Sequence, residues 1–167
     1  MSTNDVGATP SNRRGARLAD VWLTPEEERA WRAFRRLLTA LPARTARDLT
    51  ADSGLSAPDY EVLSTLSERA GRRWVLKDLA AKMEWSRSRL SHHLDRMESR
   101  ELVEREPDPD DARGCVIRLT DHGFAVLEQA APQHVRSVRR RFLDHLTTDE
   151  LAVLEGISTR IADLPEA

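Results

Sequence analysis

The sequence predicts a mainly α-helical protein carrying one small β-hairpin, and three observations lead there. Apolar residues recur at helical spacing along most of the chain. Two of those helical stretches are separated by only three residues, Glu84-Trp85-Ser86. Directly after them, two short alternating segments, Glu101 to Arg105 and Cys115 to Leu119, flank a run dense in turn formers, Pro107 to Gly114.

Composition sets the bounds. With 167 residues the chain has one domain's worth of length and enough to bury a core. Charged residues make up 32% and the net charge is −2, so any basic surface must arise by local clustering. A single cysteine excludes an internal disulfide framework and fits a reducing cytoplasm, the expected location. No apolar run approaches the roughly 20 residues of a membrane span, and the N-terminus lacks an apolar signal region.

In chain order, residues 1–20 are polar and poor in apolar side chains, which predicts a disordered tail. Arg13, Arg14 and Arg17 there read either as solvated or as phosphate contacts. Residues 21–54 form the next region. Thr24-Pro25-Glu26-Glu27 starts a helix, with Thr24 as N-cap, Pro25 at the first position and a Glu reaching back. Trp31, Phe34, Leu37, Leu38 and Leu41 give it a broad apolar face, and Pro42 is expected to kink or break it before the pattern resumes at Ala43. So wide a face on a terminal helix points to a second subunit, with packing inside one chain as the other reading.

Residues 55–120 carry the motif. Ser56-Ala57-Pro58-Asp59 starts a helix through Tyr60, Val62, Leu63 and Leu66 that ends near Ala70-Gly71; Trp74-Val75-Leu76 is a short extended piece. Leu79, Ala80 and Met83 then mark a short helix. Ser86 suits an N-cap, and from Arg87 to about Arg100 the residues Leu90, Leu94 and Met97 form one apolar stripe. The opposite face carries Ser88, Arg89, His92, Asp95, Arg96 and Ser99, with Arg87, Ser91 and His93 on the flanks. Ser86 to His93 holds two Arg, three Ser, two His and no acid. Such side chains suit phosphates and base edges, and a helix fits the DNA major groove. A solvated polar face is the bland alternative. The two helices make a helix-turn-helix, and the hairpin after them makes it a winged helix. At the hairpin tip, Pro107, Pro109 and Gly114 turn the chain tightly enough for Arg113 to project, and a narrow minor groove attracts arginine.

Residues 121–167 complete the chain. Thr120 caps a helix through Phe124 and Leu127 toward Val138 and Phe142, bent at Pro132. Thr147-Thr148-Asp149-Glu150 is a capping box, and Leu151, Leu154, Ile157, Ile161 and Leu164 make a narrow stripe with near coiled-coil spacing. Together with the apolar first helix, this favours a homodimer built from N- and C-terminal dimerisation helices.

The chain resembles the MarR family of bacterial transcriptional regulators. The resemblance rests on Leu79-Ala80, on the run SRLSHHLDRMESRELVER from Ser88 to Arg105, on Asp111-Ala112-Arg113, and on the run RLTDHG from Arg118 to Gly123, within about Leu55 to Leu127. One departure is Glu101, where family members often carry a glycine at the helix C-terminus, so this helix end is open to a different construction. The resemblance implies that the Trp74 segment pairs with the wing, that Arg113 enters a minor groove, and that Asp111 helps to hold it. It also implies regulation: family members often bind small aromatic or phenolic effectors between the DNA-binding lobe and the dimer helices, which changes the separation of the two recognition helices. Trp22, Trp31, Phe34, Arg35 and Tyr60 are the candidates for such a pocket, against a plain core role.

Other chemistries find little support. His92 and His93 point about 100° apart on a helix, and His122, His134 and His145 lack helical metal-ligand spacing, so no metal site is expected. No Gly-rich phosphate loop, G-x-S-x-G or H-E-x-x-H occurs, and neither an enzyme nor a cofactor is expected. Cys115 reads as a small residue packed in a strand; the family's peroxide-sensing cysteines lie near the N-terminal helix, where this chain has none. The expected function is therefore a ligand-responsive repressor that binds double-stranded DNA as a homodimer on a pseudo-palindromic site. Arg89, His92 and Arg96 with Ser88 are expected in the groove, Arg87 and Ser91 on phosphates, with Ser86 and His93 completing the set. The alternative is a winged-helix protein–protein module without DNA.

Overall fold

A computed structural model describes residues 22–111 and 114–165. The expected tail, residues 1–20, and the wing residue Arg113 lie outside the described residues. Residues 22–40 and 41–165 fall in two compact units.

Hydroxyl side chains start five of the helices. The first, α1 (Pro25–Ser53), opens with Glu27 N–H donating to Thr24 Oγ1 at 3.3 Å and Thr24 N–H donating to Glu27 Oε2 at 2.7 Å. Ser56 and Asp59 make the same reciprocal box at α2 (Ala57–Ser67), and Thr147 and Glu150 at α6 (Thr148–Ala162). Ser86 accepts from Arg89 N–H to start α4 (Arg87–Glu98), and Thr120 from Gly123 N–H to start α5 (Asp121–Arg141). The short α3 (Leu76–Lys82) follows Val75 without a side-chain cap. Each cap satisfies a backbone donor that the helix cannot, worth about 1 kcal/mol.

The break expected at Pro42 does not occur: α1 is one element with Pro42 inside it. A proline removes a single ladder donor, the one owed to the Leu38 carbonyl, and the rest of the ladder carries the helix through. Likewise α5 continues through Pro132 to Arg141. Helix α2 stops at Ser67, and a 3₁₀ turn over Ala70–Arg72 leads into the sheet, with Gly71 at φ +80°.

Three antiparallel strands, β1 (Arg73–Val75), β2 (Val103–Pro107) and β3 (Cys115–Leu119), lie in the order β1-β3-β2. Trp74 stands opposite Ile117 and Arg105 opposite the same residue from the other side. The Trp74 segment thus pairs with the wing. The core between helices and sheet is aliphatic. Val62, Leu63, Leu66, Leu79, Leu90, Leu94, Met97 and Ile117 are all fully buried, each worth roughly 1.5–3 kcal/mol relative to exposure. Trp74 Nε1 donates to the Thr65 carbonyl at 3.1 Å and fastens β1 to α2.

The last turns of α1 are tied to α5 by one carboxylate. Asp48 accepts from Ser137 Oγ at 2.6 Å, from Arg140 at 2.9 Å and from Arg141 at 3.0 and 3.1 Å. Arg141 above all, then Ser137, holds its carboxyl far below the usual carboxylate range. Two apolar faces remain open in the single chain. In residues 22–40 the Trp31, Phe34 and Leu38 side chains are exposed, and in α6 Ile157 and Ile161, with Leu164 beyond its end, are exposed while Leu151 and Leu154 are half-buried. Among the described residues, no helix is long and apolar enough to cross a membrane.

Candidate nucleic-acid interface

Helix α4 is defined at both ends by the sequence around it. The turn before it is the C-terminus of α3, where Glu84 adopts φ +54°, Glu84 N–H donates to the Ala81 carbonyl and Trp85 N–H to the Ala80 carbonyl. This pair of bonds is a Schellman closure, which reverses the chain within one residue. The same closure ends α4: Glu101 sits at φ +58°, its N–H donates to the Glu98 carbonyl, and Leu102 N–H donates to Met97 at 3.1 Å. The glycine that family members often carry here is absent, yet the left-handed cap is kept, with Leu102 and Met97 both buried beside it.

With Leu90, Leu94 and Met97 at 0% exposure, the rotation of α4 is fixed. Arg87, Ser88, Arg89, His92 and Arg96 face outward, and Ser91 is half-buried. Arg105 of β2 braces the helix from the side. It donates to Asp95 at 2.7 Å and to the Ser91 carbonyl at 3.1 Å, and it pairs with Glu98. The wing strands settle their own charges: Arg118 pairs with Glu104 and Glu106, and Arg73 with Glu106 at 3.1 Å. Arg87 and Arg89, by contrast, make no ion pair among the described residues. The first turn of α4 therefore presents, among the described residues, two arginines outside any ion pair on a rigid support.

His93 needs correction. It was expected on a flank of the helix and among the DNA contacts, but it is only 7% exposed. Its ring packs edge-on against Trp85 at 5.6 Å, and Nε2 faces Asp59 Oδ1 at 3.1 Å. At about 100° per residue, a flank position sits at the margin of the buried stripe, and the bulk of Trp85 closes over it. A side chain so placed cannot reach a nucleic acid. Burial lowers the His93 pKa, against the opposite pull of Asp59.

Three side chains that sequence reasoning passed over support the site. The Trp85 ring carries the Arg89 guanidinium 3.9 Å above its centroid, a cation–π contact that orients an outward arginine. Asp59 is 3% exposed and receives Arg100 at 2.6 Å and the Ser56 N–H at 3.0 Å. Burial pushes its carboxyl up, but Arg100 and Ser56 outweigh that and leave the pKa lowered. Arg105 is the third. Spacing held hints of two of them: Trp85 and Arg89 are an i,i+4 pair, and Ser56-x-x-Asp59 has the form of a capping box.

At the wing, Asp111 lines a small cavity of about 130 Å³ with Lys77, Arg87 and Cys115. Burial raises the Cys115 thiol pKa, which keeps it protonated and a weak nucleophile.

The candidate effector residues divide. Trp31 and Phe34 pack with ring centroids 6.0 Å apart, Trp22 is exposed, and Arg35 lines an open concavity with Arg32, Arg36 and Thr39. Tyr60, in the other unit, lines a cavity of about 310 Å³ with Leu49, Glu61 and His134, and its ring lies 4.4 Å from that of His134. His134 Nδ1 is buried there without a hydrogen-bond partner among the described residues, and burial lowers the His134 pKa.

Comparison with known proteins agrees with this architecture. A model of the MarR family matches residues 55–115. AbsC, a MarR family transcriptional regulator from Streptomyces coelicolor, superposes with a TM-score of 0.81 at 42% identity, over 85% of this chain and 95% of that one. Sco3205, another MarR family regulator from the same organism and solved in complex with DNA, gives 0.82 at 38% identity, over 85% and 89%. The multiple antibiotic resistance protein MarR of Salmonella typhimurium is 35% identical over 72 residues, 43% of this chain. The chain spans about half the length of that curated relative, 50%.

Proposed function

The chain belongs to the MarR family, and from that premise we propose that it is a sequence-specific DNA-binding transcriptional regulator, a ligand-responsive repressor acting as a homodimer on a pseudo-palindromic site. One observation carries the reading. The first half of α4 exposes Arg87, Ser88, Arg89 and His92, with no ion pair to an acid for either arginine among the described residues, while its other face is anchored in the core. That a relative at 38% identity was solved on DNA supports it.

In this reading one α4 enters the major groove of each half-site. Arg89, His92 and Arg96 with Ser88 meet base edges, and Arg87, Ser91 and the Ser86 end of the helix meet phosphates. Arg113, steadied by Asp111, enters the minor groove. The regions 21–54 and 121–167 form the dimer, with the open faces of Trp31 and Phe34 and of Ile157 and Ile161 covered by the second subunit. The effector is a small aromatic acid or phenol; the Tyr60–His134 cavity supplies aromatic walls for it. The protein acts in the cytoplasm and performs no catalysis.

The test is a salt series on selected and scrambled duplexes. Arg89→Ala should cost about 1–3 kcal/mol and relax preference at one base position. Arg87→Ala should weaken all duplexes alike and reduce the salt slope by about one. Arg113→Ala should weaken binding most where the flanks are A·T-rich. If Arg89→Ala and Arg113→Ala both bind the selected duplex as the wild type does, helix and wing do not read DNA, and a protein–protein scaffold takes this place. A compound screen that leaves DNA affinity unmoved would remove the effector.

A further inference from the structure

We propose that His93 is a positioning residue for Arg96: its bare Nδ1 holds the Arg96 guanidinium, and the buried Asp59 carboxylate selects the tautomer that leaves Nδ1 bare. The proposal rests on the reading that Arg96 contacts DNA.

Arg96 Nη2 lies 2.9 Å from His93 Nδ1, and Arg96 Nη1 donates to the His92 carbonyl at 3.0 Å. A guanidinium has donors only, so Nδ1 must be the acceptor and the ring proton must sit on Nε2. Nε2 in turn faces Asp59 Oδ1 at 3.1 Å, off the hydrogen-bond line, so this contact works by charge. An ionised carboxylate there favours the N–H on the nitrogen nearest to it. Arg100 at 2.6 Å and the Ser56 N–H at 3.0 Å keep Asp59 ionised and fixed. Trp85 closes the ring from its other side. The result is a relay from a buried carboxylate on α2 to an outward arginine on α4.

The geometry gives Arg96 a defined pose without exhausting it. Two of its five N–H donors are used on His92 and His93, and three remain for a groove. A long side chain held in place before binding loses less freedom on binding, which is where the gain in discrimination arises. Protonation of His93 would turn Nδ1 into a donor and release Arg96. The charged groups facing the ring are, among the described residues, Asp59 from α2, Arg96 from α4 and Arg100 just beyond the end of α4. Burial, the largest influence, and the two arginines disfavour the charged ring, so release is expected only on the acid side of the usual histidine range, about 6.5.

The experiment measures affinity ratios between a duplex selected from random DNA and its single-base-pair variants, with full-length protein, at pH 8 and at pH 5.5. Arg96→Ala identifies the base pair that Arg96 reads. His93→Gln, which lacks an acceptor at the δ position, should lose about three- to tenfold discrimination at that base pair and little elsewhere. His93→Asn, whose Oδ1 replaces Nδ1, should restore it. In the Arg96→Ala background, His93→Gln should have no further effect on base preference. Any loss of discrimination at that base pair on acidification should appear in the wild type and not in His93→Asn.

A His93→Gln effect spread evenly over all base pairs, or undiminished in the Arg96→Ala background, would reduce His93 to a packing residue. If Arg96→Ala changes no base preference while Arg89→Ala does, the relay has no output; if neither does, the DNA reading itself has failed. Should His93→Gln not fold, imidazole ¹⁵N shifts of the wild type without DNA decide the matter: a proton on Nδ1 at pH 8 overturns the proposal.

Discussion

Gly123 offers a prediction whose sign is decided by one contact. In a helix, alanine is ordinarily about 1 kcal/mol better than glycine. Gly123 lies in the first turn of α5, where a Cβ would stand 2.0 Å from the Leu102 carbonyl oxygen and 2.9 Å from both the Leu102 carbonyl carbon and Leu119 Cδ1. Real Cβ contacts stay at or beyond 3.0 Å, so the two backbones must part by about 1.0 Å. The obstacle is main chain, and it is engaged: the Leu102 oxygen accepts from Thr120 N–H at 3.3 Å and from Thr120 Oγ1 at 3.2 Å. Thr120 Oγ1 also caps Gly123 N–H at 2.8 Å. Overpacking costs about 1–3 kcal/mol, and a weakened cap about 1 kcal/mol. Set against the helical gain, Gly123→Ala should destabilise by about 1–3 kcal/mol. Gly156 in α6 is the control, with nothing within 4 Å of its Cβ position; Gly156→Ala should stabilise by up to about 1 kcal/mol. Urea unfolding followed by far-ultraviolet circular dichroism measures both. If the two substitutions shift the midpoint in the same direction, the close approach of α5 to Leu102 is not a feature of the folded protein.

Three further outcomes are expected. Glu101→Gly should raise stability by about 1 kcal/mol in urea unfolding, because the residue sits at φ +58° where a Cβ is disfavoured; a loss of stability would mean that the Glu side chain contributes more than the strain. Asp48→Asn should be less stable than the wild type at pH 7. Since Arg141 and Ser137 depress its folded pKa, that stability is present above the unfolded carboxylate value of about 4 and is lost as pH falls toward the folded one, so the difference in Tm should narrow below pH 4; a constant difference down to pH 2 would contradict it. Ile157→Lys, at an apolar position 42% exposed in the single chain, should convert a dimer to monomer in sedimentation, and an unchanged dimer would move the interface away from α6.

Much of the fold was legible because it is written in local chemistry. Hydroxyl residues at Thr24, Ser56, Ser86, Thr120 and Thr147 announce helix starts, and each side chain accepts the backbone N–H that such a start leaves free. The stripe of Leu90, Leu94 and Met97 fixed the rotation of the recognition helix correctly to full burial. Of the kink or break expected at Pro42, the break is absent for an equally physical reason. A proline costs a helix one donor, here the one owed to the Leu38 carbonyl, and the turns on either side keep α1 continuous around it. At Glu101 the sequence departs from the glycine expected of a left-handed cap; whether a side chain tolerates φ +58° is decided by the two closing hydrogen bonds and the Leu102–Met97 burial, neither of which is visible in a residue name.

The site divides along the same line between local and non-local information. Outward placement of Ser88, Arg89, His92 and Arg96 follows from periodicity alone. What tunes those side chains does not. His93 is one helical step from the exposed face, and periodicity assigns it to a margin that could fall either way. It falls inward because Asp59, 34 positions earlier, arrives at 3.1 Å with a carboxylate held by Arg100 and Ser56, and because Trp85 covers the ring. The capping-box form of Ser56 and Asp59 was readable, but a cap is normally a surface device, and nothing in the sequence says that this one is 3% exposed and faces the recognition helix. An exposed face can thus be read from one element, whereas the residues that orient it belong to the contacts between elements, and those are the positions where substitution should alter which base is read without removing any group that touches DNA.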